Sequence, residues 1–335
     1  MGHIPSSSAV LDTVLRPLAR FYDDPQTVEM RMCRPGAVIV ERRGHGKQQI
    51  EAAELTLAVI EDICRTLANI NSVNYSPDSA PKLSCILPGL PDGSQRHRFE
   101  CLTGASVQSR LSLAIRCKHR FTPTWQQVGA TPQVEAFLRR CIEAEANMLI
   151  SGATNTGKTT LLNKLLEFLP ADRRVIAAED TPELDIARFW DAVGLLAARD
   201  DDGQRAGMVS WRQMYDHLMR ATPDHVLFGE ISTMNAYPAL GALNSGITGF
   251  MCTIHAASPE QALTRKFDQN IAWSGQSMPR VPEFLAELID VVIQIKRTHD
   301  GMRRITDIYL PRTASWVMRD GVMTDLTVSG EEKHE

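Results

Sequence analysis

Much of what this 335-residue chain does is bounded by what it lacks. Its seven cysteines, at 33, 64, 85, 101, 117, 141 and 252, include no Cys-x-x-Cys pair and are odd in number. A disulfide framework or zinc knuckle is therefore disfavoured, and a reducing compartment fits. No apolar run approaches the about 20 residues that a membrane helix needs. Residues 52–63 are apolar in part, but Glu54, Glu61 and Asp62 interrupt them at helical spacing. The N-terminus has no basic segment followed by an apolar one, so a cytoplasmic protein is expected. Met1-Gly2-His3-Ile4-Pro5-Ser6 matches the loose myristoylation pattern, which fixes three positions and is read as coincidence. Any membrane association is expected to be peripheral. Positive charge is not in excess either: 36 Lys and Arg stand against 40 Asp and Glu, a net charge of −4. The basic doublets at 42–43, 139–140, 173–174 and 303–304 are scattered as solvated faces are. Direct nucleic-acid binding, which shows as a basic stripe, is not indicated.

What is present is an ordinary globular composition, 43% hydrophobic and 23% charged, long enough for two domains. Residues 10–21 carry an amphipathic helical pattern that Asp23-Asp24-Pro25 ends. Residues 28–40 read as two short strands around Arg34-Pro35-Gly36, and Leu55, Val59, Ile63, Leu67 and Ile70 give a helix within 51–70. From 82 to 118 the period becomes two, as in Leu111, Leu113 and Ile115. Residues 1–118 are expected to form a small α+β domain. Residues 119–131, with two prolines, two glutamines and three threonines among them and their neighbours, read as a linker. Pro132 then opens a helix, and residues 132–329 alternate strand and helix. Strands are expected at 148–150, 175–178 and 226–228, with a helix at 158–169. That alternation predicts a parallel sheet covered on both faces, an α/β domain. Residues 199–207 read as an exposed loop, and 330–335 as a disordered tail. The chain has no internal repeat.

The strand at 148–150 enters Gly152-Ala153-Thr154-Asn155-Thr156-Gly157-Lys158-Thr159, which satisfies G-x-x-x-x-G-K-T. Glycines let the backbone curl so that successive N–H groups face phosphate oxygens. The helix that follows, which begins with Lys158, Thr159 and Thr160, turns its positive end to the same anions. Lys158 is expected to neutralise the β and γ phosphates and Thr159 to ligate Mg²⁺. The apolar strand before the motif and the amphipathic helix after it are the context a phosphate loop needs, so ATP with Mg²⁺ is the expected ligand.

Hydrolysis also needs carboxylates, expected at the carboxyl ends of neighbouring strands. Residues 175–178 run into Glu179-Asp180, and 226–228 into Gly229-Glu230. Glu230 is assigned as the base or water-positioning group. Glu179 is assigned to Mg²⁺ or its water shell. Either acid could instead cap a neighbouring helix. Gly229 is expected to let the backbone pass close to the phosphates. His255 closes the apolar run 250–254; alone it is as readily a structural hydrogen-bonder as a catalytic group.

Taken together, the phosphate loop, Glu179-Asp180-Thr181-Pro182-Glu183-Leu184, the segment 220–230 and the segment 246–256 resemble, in this order, the four boxes of the secretion ATPase superfamily. The acidic box is most similar to that of the type IV secretion and conjugation branch. Leu15-Arg16-Pro17-Leu18 through Glu29, residues 83–87, Arg98 and Ile115-Arg116 are similar to its N-terminal domain. The resemblance implies a RecA-like P-loop ATPase domain with a smaller N-terminal domain and ATP held between the two. It implies a homo-hexameric ring at the cytoplasmic face of the inner membrane, partnered with a channel and other secretion ATPases. It also implies that Arg98 and Arg116 reach the terminal phosphate and that His255 senses it.

The chain departs from that pattern at four places. Ser232 stands where the family usually has arginine after its Gly-Glu stretch. Thr222 and His225 replace arginines around Pro223-Asp224, and Ile247 replaces a histidine. These changes remove positive charge and a hydrogen-bonder. Slow or partner-dependent turnover is the expectation, with hydrolysis retained. A non-cycling ATP-binding assembly switch is one alternative, and a pilus or type II secretion motor another, although the paired-cysteine motif common in type II is missing.

Overall fold

The computed structural model describes residues 7–43, 45–87, 97–117, 122–197, 209–298 and 300–324. Four expectations fall outside those residues: the lipidation pattern at 1–6, the exposed loop at 199–207, part of the linker (119–121) and the tail at 330–335. Among the described residues, no helix is long and apolar enough to cross a membrane.

The chain divides into two compact units, Met1–Phe121 and Thr122–Glu335. In the first, helix α1 (Ser7–Tyr22) precedes strands β1 (Thr27–Arg34), β2 (Ala37–Arg42) and β3 (Gly46–Glu51). Helix α2 (Leu57–Ile70), then β4 (Lys82–Ile86), β5 (Arg98–Thr103) and β6 (Leu111–Arg116) follow. The six strands form one antiparallel sheet in the order β3-β2-β1-β6-β5-β4. Leu15 and Leu18 of α1 and Ile60, Ile63 and Leu67 of α2 close its core against Met30, Val38, Phe99 and Ile115. The second helix starts later than its apolar spacing predicts. Thr56 accepts a hydrogen bond from the Val59 amide and caps it, so residues 46–51 are free to add an edge strand.

In the second unit, residues 122–131 do not behave as a linker by packing: Trp125, Val128 and Ala130 are buried in the core. Thr131 then caps α3 (Pro132–Glu143) through the Val134 amide. Next come β7 (Met148–Gly152), α4 (Lys158–Leu166), β8 (Val175–Glu179), β9 (Ala192–Leu196), α5 (Trp211–Leu218) and β10 (His225–Ile231). They are followed by α6 (Ala236–Leu243), β11 (Met251–His255), α7 (Pro259–Gln261), a π-helical turn (Ala262–Lys266), α8 (Phe267–Trp273) and α9 (Val281–Leu288). The unit ends in β12 (Val291–Arg297), β13 (Arg303–Leu310), β14 (Ser315–Arg319) and β15 (Val322–Met323). The sheet order is β15-β14-β13-β12-β7-β11-β10-β8-β9, parallel from β12 to β9 and antiparallel from β12 to β15.

Its two faces are covered as a parallel sheet requires. On one, Val134 and Leu138 of α3 and Leu161, Leu162 and Leu165 of α4 pack on Met148, Ile150 and Ile293. On the other, Trp211 of α5, Leu240 of α6, Phe267 of α8 and Leu285 of α9 pack on Leu149, Phe228, Cys252 and Val292. Alternate residues of one strand thus feed different cores, which is why the buried strands read as continuous apolar runs.

Candidate functional site

Parallel strands all end at the same edge of a sheet, so the residues after β7, β8, β10 and β11 share one rim. The order β7-β11-β10-β8 decides who meets whom there. Strand β11 lies between the strand entering the phosphate loop and the strand carrying Glu230, and His255 sits in register with Gly152. The His255 side chain consequently joins both neighbours. Lys158 Nζ lies 2.9 Å from His255 Nδ1, and His255 Nε2 makes a close contact with Glu230 Oε1. An ammonium can only donate, so Nδ1 accepts and the ring proton sits on Nε2, donated to Glu230. Three residues from three segments thereby form one polar chain at the mouth of the loop. His255 is thus placed beside Lys158 and Glu230 at this rim.

The loop itself is tightly curled. Asn155 and Gly157 hold φ of 62° and 93°, the left-handed region that asparagine tolerates and glycine favours. The Thr156 hydroxyl donates to the Ala153 carbonyl at 2.8 Å, and Lys158 Nζ donates to the same carbonyl at 3.3 Å. Gly152 is buried, Ala153 and Thr154 are exposed, and Lys158 is 6% exposed. Thr159 and Thr160, half-buried, follow in the first turn of α4.

Glu179 is also brought to this rim, and it is buried. Its carboxylate accepts hydrogen bonds from the amides of Glu183 at 2.8 Å and Leu184 at 3.1 Å, folding the loop after β8 back on itself. Gly229 is explained by the same side chain. A Cβ there would lie 2.7 Å from Glu179 Oε1 and 2.9 Å from its Cγ. The close approach at Gly229 is therefore to Glu179, where the sequence reading gave it to the phosphates.

Magnesium fits this donor set. Among the described residues no group of three or more His, Cys, Asp or Glu could hold a metal by itself. Magnesium is ordinarily held by one or two protein groups with phosphates and waters. Thr159 supplies a hydroxyl next to Lys158; Glu179, already engaged by two amides, is suited to the water shell.

Arg98 and Arg116 lie in the other unit. They stand directly opposite each other across β5 and β6, on the face away from the core. Arg116 also faces Glu29 across β1.

Several residues that serve the site escaped the sequence reading. Buried Gln294 of β12 donates to the carbonyls of Ala256 at 3.3 Å and Ala257 at 3.2 Å, holding the turn after His255. Buried Asn235 donates to the Glu230 carbonyl at 2.8 Å and accepts from the Ser232 amide at 2.7 Å. Thr253 donates to the Gly229 carbonyl at 2.7 Å. One signal was available: Gln294 interrupts the apolar run Val291-Val292-Ile293.

The departures at 222, 225, 232 and 247 also separate by position. His225 begins β10, five residues before Glu230, so about 16 Å of strand lies between them. Thr222 and His225 flank Pro223-Asp224, which with Ile247, Glu145, Ser245, Gly246 and Thr248 line a cavity of about 290 Å³ away from that rim. His225 is buried against the Gly249 carbonyl at 3.2 Å, and burial lowers its pKa. Ser232, exposed and two residues after Glu230, is the departure that borders the site.

With this geometry in hand, similarity to known proteins identifies the lineage. Residues 96–295 match the family described as type II/IV secretion system protein. Over 93% of this chain and 91% of its own length, a probable conjugal transfer protein TrbB of Sinorhizobium fredii is 31% identical. The type IV secretion system protein VirB11 of Bartonella henselae is 26% identical over 90% of this chain and 93% of its own length. In fold, the chain is similar to the ATPase DotB of Legionella pneumophila, with a TM-score of 0.58, 16% identity and coverage of 92% of this chain and 83% of that one. The second unit is RecA-like. The chain belongs to the type II/IV secretion system protein family and is similar to the conjugal transfer protein TrbB and to VirB11.

Proposed function

From that membership we propose that the protein hydrolyses ATP as a motor of a type IV secretion or conjugation apparatus. The observation that carries the reading is the contact chain Lys158–His255–Glu230 at the mouth of a G-x-x-x-x-G-K-T loop. The names of the relatives, a conjugal transfer protein and a type IV secretion protein, support the biological setting.

The mechanism follows from the partners each residue holds. The amides of residues 153–158 and the positive end of α4 receive the phosphates. Lys158 turns from His255 Nδ1 to the β and γ phosphates, whose charge outcompetes a neutral ring nitrogen. His255 then keeps its Nε2 proton on Glu230 and presents a free Nδ1, so the histidine registers whether the terminal phosphate has drawn the lysine away. Glu230, about half exposed, orients the attacking water and takes up its proton. Magnesium, held through Thr159, phosphate oxygens and water in the shell near Glu179, would spread the negative charge of the transferring phosphoryl group. In the first unit, Arg98 and Arg116 form a doubly positive pair suited to an anion. Two like charges opposed across strands repel each other, and an anion relieves that repulsion.

Work on the apparatus would come from a homo-hexameric ring on the inner face of the bacterial membrane, docked on the channel and other secretion ATPases. The cycling of Lys158 between His255 and phosphate is its chemical switch. Ser232 favours one second reading: an ATP-bound assembly switch that turns over very slowly, because an arginine there would add charge beside the transferring phosphate. Single-turnover hydrolysis with Mg²⁺ separates the two. The motor reading expects phosphate release by the wild type, no nucleotide binding by Lys158→Ala, and binding with about a hundredfold or greater loss of turnover in Glu230→Gln. Binding without hydrolysis by the wild type would leave the switch, and full turnover by Glu230→Gln would remove Glu230 from its role.

A further inference from the structure

The phosphate loop is gripped from outside by a residue that none of the four boxes contains. Arg303, the first residue of β13, donates from Nε to the Asn155 carbonyl at 3.1 Å and from its terminal nitrogen to Asn155 Oδ1, also at 3.1 Å. Its Cδ lies 3.1 Å from where a side chain at Gly157 would begin. One guanidinium thus takes both acceptors of a single residue, and that residue holds a left-handed conformation. A planar fork that engages a peptide oxygen and an amide oxygen together fixes the peptide plane, which a point charge cannot do. The orientation of the neighbouring loop amides is set with it.

The next two residues of β13 reach elsewhere. The Arg304 Cβ lies 3.0 Å from where a side chain at Gly129 would begin, and the Ile305 amide donates to the Val128 carbonyl at 2.8 Å. Val128 and Gly129 belong to residues 122–131, the first stretch of the second unit after the boundary at 121. Three consecutive residues of one strand therefore hold the phosphate loop on one side and the entry of the chain into the unit on the other. The strand between them is held by sheet pairing. Residues 303–305 pair with 297–295 of β12, whose residues 291–294 pair with β7, which feeds the loop, and β14 joins β13 farther on at 308–310.

We propose that Arg303 is a positioning residue for the phosphate loop, and that β13 carries the state of the loop to residues 122–131. In this arrangement phosphate binding, by tightening the peptide at Asn155, draws on Arg303 and secures the Ile305–Val128 bond. Loss of phosphate loosens it. The first stretch of the second unit is then under nucleotide control through hydrogen bonds inside that unit. The proposal rests on the ATP reading above.

Hydrogen–deuterium exchange of the full chain, with and without a saturating non-hydrolysable ATP analogue and Mg²⁺, tests it. In the wild type the analogue slows exchange in residues 152–159 and also in residues 122–131. In Arg303→Ala the analogue binds about tenfold more weakly, because the loop amides are no longer pre-oriented for the phosphates. At saturation that variant shows slowed exchange in 152–159 but not in 122–131. Arg303→Lys, which keeps the stem and charge, shows the same uncoupling, and the Tm of both variants without nucleotide stays at the wild-type value. A role in packing alone would instead lower Tm and leave the coupling intact, which overturns the proposal. So does a wild type that binds the analogue yet leaves 122–131 unchanged. A wild type that binds no analogue sinks the ATP reading itself, and this proposal with it.

Discussion

Gly229 and Glu179 share one small volume because β8 and β10 pair in parallel, with Phe228 opposite Ala178. A methyl at 229 would lie within 3 Å of the Glu179 carboxylate and its Cγ. Gly229→Ala is therefore expected to cost about 1–3 kcal/mol of stability, the usual range for overpacking. It should also lower turnover, since Glu179 cannot move without releasing the amides of Glu183 and Leu184. Thermal melts of Gly229→Ala, Glu179→Ala and the double variant check the cause. The two losses should be strongly non-additive, because the methyl meets no obstacle once the carboxylate is gone. His225 makes a second residue-level prediction. Burial lowers its pKa in the fold, against a weaker opposing pull from the Gly249 carbonyl and Glu145. The unfolded chain takes up a proton near pH 6.5 while the folded one resists it. Unfolding thus binds protons below that pH, and stability falls as the solution is acidified from about 6.5 toward the depressed value. His225→Asn, which keeps a donor for the Gly249 carbonyl, should flatten the denaturation profile across that window.

Elements were legible in the sequence to the degree that their signal was local. The phosphate loop, the strands at 148–152, 175–179 and 225–231 and the capped helix at 132 each carry their pattern within a dozen residues. Strand β3 carries none: Gly46, Lys47, Gln48 and Gln49 are exposed, and pairing with β2 alone makes them a strand. What no local pattern encodes is strand order. Only the insertion of β11 between β7 and β10 makes His255 a bridge, so from sequence the residue stayed open between two readings until the resemblance was added. Gln294 showed in the sequence as a polar break in an apolar run, but its role was hidden for the same reason, since its partners lie 37 and 38 residues earlier. Its role yields an element-scale prediction. Gln294→Leu fills the same buried space but leaves the Ala256 and Ala257 carbonyls without their donor, freeing the turn that aims His255. Turnover should fall about tenfold while nucleotide affinity stays within about twofold, because the residue positions the turn after His255 and does not touch the loop amides. Steady-state kinetics beside calorimetric binding separates the two parameters.

At the scale of the whole molecule, each unit encloses its own hydrophobic core, so each should unfold in its own transition. A ligand raises the stability of whatever it binds by RT ln(1 + [L]/Kd), about 2.7 kcal/mol at a hundredfold excess over Kd. Scanning calorimetry with a non-hydrolysable ATP analogue and Mg²⁺ can therefore report which unit supplies contacts. If Arg98 and Arg116 serve the terminal phosphate, the analogue raises both transitions in the wild type. In the double variant Arg98→Ala, Arg116→Ala it raises only that of Thr122–Glu335. The arginines face each other across β5 and β6, so removing both also removes a repulsion. The first unit of the double variant, without nucleotide, should then melt no lower than the wild type. A first transition that ignores the analogue in the wild type would leave the arginines as surface charge, and the phosphate would be the business of the second unit alone.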